Sequence, residues 1–586
     1  MIKRIPCFFI PLLLLVMTGV QAAEQHGKTG PETFQGDVVQ RIKPALHLAP
    51  ASTNAQRRSA QVTADASFTL PALSTDEISQ LQNASQEKAY RVGIGRTLPA
   101  NLGEWIDLST WNWSAVSGGR AARFTLTSSG AARLRAQLQT GQWPVGVELH
   151  SYSPANPTDV SGPYGEPANL FWTPTVKGDT LALELFLPDG IQPQNVQLAI
   201  PQLSHLIVDP AASTLKNTSI YKADTDYSSC QVDIACADAS WQETGEAVAR
   251  YVFTDTDGYS YLCSGTLLTD KDTYTQIPYF LTAAHCVSNA AAAGSMDFFW
   301  HYQNTSCGGS GATPVQSSGG AQLLATRAEL DSTLVQLNNN PPVGVTLSGW
   351  TLTPLSSNQA ITGIHHALGG PKRYSTGNFD TRVRIEASSA GFAVIPDSNG
   401  DFSAVTWNKG ITAPGSSGSG VWVVENGVHY LNGSLLGGSS DCANTDSPDE
   451  YSRFERFYPY VSSWVDTPGT PPSLHLLNTN NPPTALREGV IITRYLQGTR
   501  GNALLQDVTS ISVNTVELEN ALAALVPVLD IDADGNTDAG TDGMLLIRYL
   551  LGLQGAPLLA GLDLTGSGRT SAADIQAYIE TLLAQS

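Results

Sequence analysis

The placement of cysteines constrains this chain more than any other feature of its sequence. Residues 24 to about 222 contain none, whereas Cys230, Cys236, Cys263, Cys286, Cys307 and Cys442 all fall in the next stretch. The seventh, Cys7, lies where Lys3 and Arg4 precede an apolar run, Ile5 to Val20, followed by the small residues Ala22 and Ala23. That layout predicts a secretory signal peptide over 1–23, cut near Ala22 or Ala23; the alternative, a retained membrane anchor, needs about 20 apolar residues. Once Cys7 leaves, the remaining cysteines are even in number, as expected of a disulfide framework built in an oxidising compartment. A zinc site is the alternative use of these thiols, but no close Cys pairs alternate with His pairs.

At 586 residues the chain exceeds what one hydrophobic core supports, so three or four domains are expected. Gly, Ser, Thr and Asn between short apolar runs favour a mainly β fold. The net charge of −20 gives no basic field to displace counterions from phosphate, which argues against a nucleic-acid partner. No stretch after the signal is long and apolar enough to span a bilayer. The mature protein is therefore expected to be soluble and secreted. The cysteine-free segment, 24–222, is placed as a pro-region would be, an accessory domain being the alternative. Within it YRVGIGRTLP, ARFTLTSSGAARLRAQL and GVELHSYSP read as short strands and one helix. TPGTPPS marks a linker over 467–480. Beyond it, over 481–586, Arg-Tyr-Leu recurs at Arg494 and Arg548 at the end of apolar residues in helical spacing, a repeat that predicts a small paired-helix module.

Three motifs between these boundaries carry chemistry. In LTAAHCV an apolar strand end delivers His285 beside Cys286, and CSGTLL from Cys263 offers a strand to which that loop can be bridged. A general base must be held within hydrogen-bond reach of the proton that it removes. In LDSTLVQL, Asp331 heads a strand, where a buried carboxylate accepts the second imidazole N–H and stabilises the imidazolium. In APGSSGSGVW, glycines on both sides of Ser417 permit a tight backbone that aims the N–H groups of Gly415 and Ser417 into one space. Two such donors make an oxyanion hole, each worth about 3–4 kcal/mol. The order His, Asp, Ser differs from the subtilisin and α/β-hydrolase orders.

These motifs in this order resemble the trypsin/chymotrypsin family over roughly Cys230 to Asp466. The resemblance implies a double antiparallel β-barrel over 223–466 and a serine endopeptidase with His285, Asp331 and Ser417 as its triad, acting on polypeptides through an acyl-enzyme without a catalytic cofactor. SSCQVDIAC, GIHHALGGPKR, TW…PGSSGSG and LLGGSSDC…PDEYSRF resemble the bacterial lysyl endopeptidases in particular. That branch implies bridges Cys230–Cys442, Cys236–Cys307 and Cys263–Cys286. It also implies Asp449 as the acid at the base of the specificity pocket, with Trp407 at its side. Ile411 stands where trypsin has its pocket acid, and Leu436 where the lysyl enzymes share a His. Cleavage after Lys is expected, with Arg as a further substrate; were Asp449 a surface acid, the pocket would be apolar. Leu435, Leu436 and Gly437 are expected to offer the edge on which an extended substrate pairs. Chymotrypsin-type zymogens use an Asp immediately before the nucleophile to receive the new N-terminus. Ser416 stands there, so activation is expected without that ion pair, after a cut at Lys222. A protease fold that only binds, tethered through the C-terminal module, is the competing reading.

DIDADGNTDAGTD places oxygen side chains at alternate positions, with Gly535 at the turn. It resembles the calcium loops of dockerin-like, EF-hand-like repeats, which implies that Asp530, Asp532, Asp534, Asn536, Asp538 and Asp542 hold Ca²⁺. The spacing from Asp530 to Asp542 is one residue longer than a standard twelve-residue loop. Such a module is suited to attach the chain to a surface or protein partner.

Overall fold

The computed structural model describes residues 66–82, 89–164, 169–211, 228–271, 277–342, 344–388, 391–467, 474–477, 482–508, 513 and 515–584. The expected signal peptide, Lys222 and most of the linker expected over 467–480 lie outside the described residues. Among those residues no helix is long and apolar enough to cross a membrane.

The cysteine-free region builds two antiparallel layers. Gly119–Ser128, Thr180–Pro188 and Glu148–Ser153 pair in one sheet, with Ala66–Leu70 added in parallel. Arg133–Thr140, Leu198–Leu206 and Tyr90–Thr97 pair in the other. Leu181, Leu183, Leu185 and Leu187 alternate along one strand and meet Leu134, Leu138, Leu198 and Leu203 in a shared core. AARLRAQL, where a helix was expected nearby, is a strand: its apolar residues repeat every second position, and Leu134, Ala136 and Leu138 are buried together. The described helices of this region are Thr75–Gln82 and the short Ala100–Gly103 instead.

This second sheet does not end at the domain. Tyr90–Thr97 pairs on its far side with Tyr259–Leu268, in the register Ser260↔Gly93 and Tyr259↔Ile94, so it runs into the cysteine-containing region. On its near side Gly93 permits close pairing with Leu198–Leu206, since a Cβ there would lie 2.4 Å from the His205 carbonyl oxygen. Arg135 is fully buried at the junction, donating to the Ser295 carbonyl and to Thr254 Oγ1, with its guanidinium over the Trp172 ring. Burial pulls its pKa down to about 10 while the Asp297 charge opposes the fall. Asp297 in turn accepts from the Thr175 N–H across the junction.

That sheet continues into a half-barrel, and a separate antiparallel sheet follows; two barrels were expected, and only the second closes. Val248–Thr254, Tyr259–Leu268, Tyr279–Thr282, Ser332–Leu337 and Ala321–Arg327 curl into a half-barrel. Ala360–His365, Gly420–Glu425, Val428–Gly438, Asp449–Arg453, Phe402–Lys409 and Arg373–Ser388 close fully, the last strand pairing back onto the first. Trp350, Trp422, Phe454 and Phe457 pack with Leu281 and Leu334 in an apolar cluster that draws on both. The six cysteines pair as Cys230–Cys442, Cys236–Cys307 and Cys263–Cys286, which leaves none of them as a thiolate for zinc.

The C-terminal repeat folds as helices on one apolar core, among them Val490–Leu496 and Asp542–Leu550. Arg494 donates to the Leu504 carbonyl and Arg548 to the Leu558 carbonyl, the same bond in both copies. Gly498 and Gly552 end the helices at φ +87° and +85°, a conformation that costs glycine least.

Replacing Arg135 by Met should separate the thermal unfolding of the N-terminal region from that of the barrels, because the Ser295 carbonyl and Thr254 hydroxyl lose their charged donor. We expect a loss of about 3 kcal/mol in calorimetry; a single unshifted transition would show that the junction does not couple them.

Candidate active site

Asp331 follows the turn Ala328–Leu330 in the left-handed region, at φ +45°, which aspartate tolerates better than bulkier residues. Its carboxylate thereby faces the loop after Tyr279–Thr282. One oxygen accepts the His285 backbone N–H at 2.7 Å, and the other meets His285 Nδ1 at 2.8 Å. Burial pulls the imidazole pKa down, but the charge and hydrogen bond of Asp331 outweigh it and leave His285 above its ordinary value. The Cys263–Cys286 bridge pins the same loop to the central strand of the half-barrel.

Ser417 stands on the closed barrel, in a loop that packs against the histidine loop. The Ser264 N–H donates to the Ser417 carbonyl at 2.9 Å. Gly418, at φ +80°, lies so close to the histidine loop that a Cβ would fall 2.2 Å from Thr282 Oγ1 and 2.7 Å from the Ala283 nitrogen. Ser417 itself is half-buried. Its hydroxyl makes no hydrogen bond to His285 among the described residues, a looseness common before substrate arrives. Gly415, at φ +93°, and Ser417 have N–H groups without an acceptor among the described residues. Among the described residues these two free donors flank the Ser417 side chain.

Behind this loop Asp449 is almost fully buried, at 1% exposure. Its carboxylate accepts from Trp407 Nε1 (2.7 Å), Thr412 Oγ1 (2.6 Å), Ser440 Oγ (2.8 Å) and the Ser440 N–H (3.2 Å). Burial raises its pKa above the ordinary aspartate range, against the pull of those donors. Gly438 makes room, since a Cβ there would lie 2.0 Å from Asp449 Oδ1. Ile411 is packed in the barrel core. Leu435 departs from the sequence reading. Its side chain is in the same core, its N–H donates to the Ser419 carbonyl and its carbonyl accepts from Gly418. Leu436 and Gly437 are half-buried and lie beyond the last pairing with Gly420–Glu425, at Gly420↔Ser434, so that edge of the strand is unpaired.

The chain has relatives among known proteins. Residues 225–452 match the family model "Lysyl endopeptidase, C-terminal domain", and 69–207 match "Lysyl endopeptidase N-terminal domain". A lysyl endopeptidase of Pseudomonas aeruginosa is 31% identical over 478 residues, covering 78% of this chain and 98% of that relative. The chain belongs to the lysyl endopeptidase family. It is a serine protease with a chymotrypsin-like fold. Solved structures that resemble it include the Rv3671c protease of M. tuberculosis in its active form (10% identity, TM-score 0.27, 39% of this chain and 86% of that one). The thermostable serine protease AL20 from an extremophilic microorganism is another (14%, TM-score 0.25, 38% and 99%).

The family models stop before the C-terminal loop. There the carboxylates of Asp530, Asp532 and Asp542 lie within 4.8 Å of one another. Asp532 and Asp542 are buried, and burial pushes Asp542 up to about 7. Asp538 does not join them: it accepts from the Gly540 and Thr541 N–H groups at the start of Asp542–Leu550, a capping role. Asp534 accepts from the Asn536 N–H, and no side-chain bond of Asn536 is formed among the described residues.

In Asp331→Asn the His285 imidazole loses the charge that lifts it, so its pKa by NMR titration should fall below that of the unchanged chain. An unmoved value would show that Asp331 does not govern it.

Proposed function

We propose that this family member is a secreted endopeptidase that cleaves after lysine, with His285, Asp331 and Ser417 as its triad. The observation that carries the lysine preference is Asp449: a desolvated carboxylate in the closed barrel, held by Trp407, Thr412 and Ser440 and compensated by no cation among the described residues. An ammonium brought there regains an ion pair, whereas an apolar side chain leaves the charge unpaired. The relative of Pseudomonas aeruginosa carries the same specificity in its name.

In this reading His285 takes the Ser417 proton as the hydroxyl attacks the peptide carbonyl, and Asp331 stabilises the imidazolium. The Gly415 and Ser417 N–H groups receive the oxyanion. The proton then passes from His285 to the leaving amine, and water repeats the cycle on the acyl-enzyme. Leu436 and Gly437 offer the substrate its pairing edge. The N-terminal region acts as a pro-region removed at Lys222, the residues 1–23 as the export signal, and the Leu486–Ala584 helices as a dockerin-like attachment module.

Calcium belongs to that module. Three convergent carboxylates with two of them buried suit a hard cation, and Asp530, Asp532 and Asp542 would hold it, with Asp534 and Asn536 near enough in sequence to complete the oxygen set. The ion supplies charge balance and loop rigidity there, and takes no part in hydrolysis.

Matched peptide amides ending in Lys, Arg, Phe and Leu test the specificity. Lysine should lead, Ser417→Ala should abolish all hydrolysis, and Asp449→Ala should reduce Lys cleavage selectively by at least about 100-fold, as loss of a buried ion pair implies. Because Asp449 must be ionised and burial raises its pKa, the Lys-over-Phe ratio should shrink as pH falls through a value above the ordinary aspartate range. Preference for Phe or Leu would discard the lysine reading, and no hydrolysis at all by processed protein would favour the binding-protein reading. For calcium, added Ca²⁺ should raise the melting temperature of the full chain, and Asp542→Asn should remove that rise; a calcium-independent melt would exclude the site.

A further inference from the structure

The residue before the nucleophile, Ser416, carries no charge, yet it is fully buried and its hydroxyl is held on two sides. The Ala413 N–H donates to its oxygen at 3.2 Å, and His365 Nδ1 lies 2.8 Å away. His365 closes the strand Ala360–His365 and is itself fully buried. Its Nε2 is 3.0 Å from Ser375 Oγ on the neighbouring strand Arg373–Ser388. Both ring nitrogens are thus engaged by hydroxyls, and no acid pairs with the ring. Burial lowers its pKa to about 3, which keeps the ring neutral across the working range of a protease.

A neutral imidazole has one donor and one acceptor, so in either tautomer one ring nitrogen donates to a serine hydroxyl and the other accepts from one. Ala413 N–H donates to Ser416 Oγ, which shares one proton with His365 Nδ1, and Nε2 shares one with Ser375 Oγ. Next to this chain, Ser264 Oγ donates to the Gly415 carbonyl and accepts the His366 N–H, and the Leu368 N–H donates to the Pro414 carbonyl. Every peptide group from Ala413 to Ser417 is fixed except the two N–H groups of Gly415 and Ser417.

We propose that His365 is a positioning residue for the oxyanion hole: through Ser416 it fixes the backbone turn that aims the Gly415 and Ser417 N–H groups, taking the place of an activation ion pair. This rests on the reading of those two groups as the oxyanion donors. The lock is neutral at both ends, so it needs no new N-terminal ammonium and is indifferent to pH in the range where His285 titrates. His365 touches no reacting atom, and its effect is confined to the transition state.

Kinetics of the purified full chain, as the expression host releases it, test this with a peptidyl aldehyde and its matched peptidyl alcohol. The aldehyde forms a tetrahedral adduct that uses the hole, and the alcohol does not. In His365→Ala, kcat and aldehyde affinity should fall together by about 100-fold, as for loss of one oxyanion donor, while KM, alcohol affinity and the acid limb of the pH profile stay within about twofold of wild type. His365→Asn puts an amide oxygen near the Nδ1 position and should recover most of the loss. Ser416→Ala should match His365→Ala, and the double variant should be no worse than either. Unchanged kcat and aldehyde affinity in both single variants would overturn the proposal, as would alcohol affinity falling in step with kcat, the mark of a collapsed loop. A wild-type chain that binds aldehyde no better than alcohol would instead remove the oxyanion reading on which the proposal rests.

Discussion

The active site depends on one residue at the seam between the two barrels. Ser264 lies on the central strand of the half-barrel and is fully buried. Its N–H donates to the Ser417 carbonyl, its hydroxyl donates to the Gly415 carbonyl and accepts the His366 N–H, and its own carbonyl accepts from Thr282 Oγ1. Four bonds thus set the nucleophile loop of one barrel in register with the histidine loop of the other. The neighbouring Cys263 is bridged to Cys286, beside His285. A serine is small enough to sit in that seam and carries both donor and acceptor, a combination that no apolar residue of its size supplies.

The same strand carries the N-terminal domain. Its first residues, Tyr259 to Leu262, pair with Tyr90–Thr97, and Ser264 follows two residues later. Whatever orders that strand orders the nucleophile loop, so the docking of the preceding domain and the registration of the catalytic centre share one structural element. Buried Arg135 strengthens the coupling, because a desolvated guanidinium tolerates few alternative placements of its partners.

Much of this was legible in the sequence. His285, Asp331 and Ser417 stand out because their local strings combine a strand end, a strand head and a glycine-flanked turn in a telling order. The disulfide pairing followed from resemblance, since six cysteines by themselves leave fifteen connectivities open, and the structure pairs them as that resemblance implied. Other features were not legible, for physical reasons. Arg133–Thr140 alternates as a half-exposed strand would, and nothing local marks Arg135 as buried, because the partners that bury it lie across an inter-domain junction. Leu435 reads like part of a substrate edge, yet both its backbone groups are consumed by Gly418 and Ser419. Asp538 fits an alternating ligand pattern but caps a helix instead. Ser264 and His365 sit inside the strings CSGTLL and GIHHALGG, and nothing local distinguishes them, because their roles arise only from contacts more than 50 residues away in sequence.

Charge is distributed in this site by burial. Asp331 lifts the imidazole beside it, Asp449 waits desolvated behind the loop, and His365 stays neutral between two hydroxyls. The central claim is that the first two acids serve one substrate at once, through His285 and Ser417 on one side and the pocket base on the other. A crystal structure of the full chain inactivated by a peptidyl-lysine chloromethyl ketone measures this most directly. The account predicts a tetrahedral carbon bonded to Ser417 Oγ, His285 Nε2 alkylated, the oxyanion facing the Gly415 and Ser417 N–H groups, and the lysine ammonium within hydrogen-bond distance of Asp449. An adduct whose lysine side chain turns to solvent, with Asp449 still held only by Trp407, Thr412 and Ser440, would contradict it.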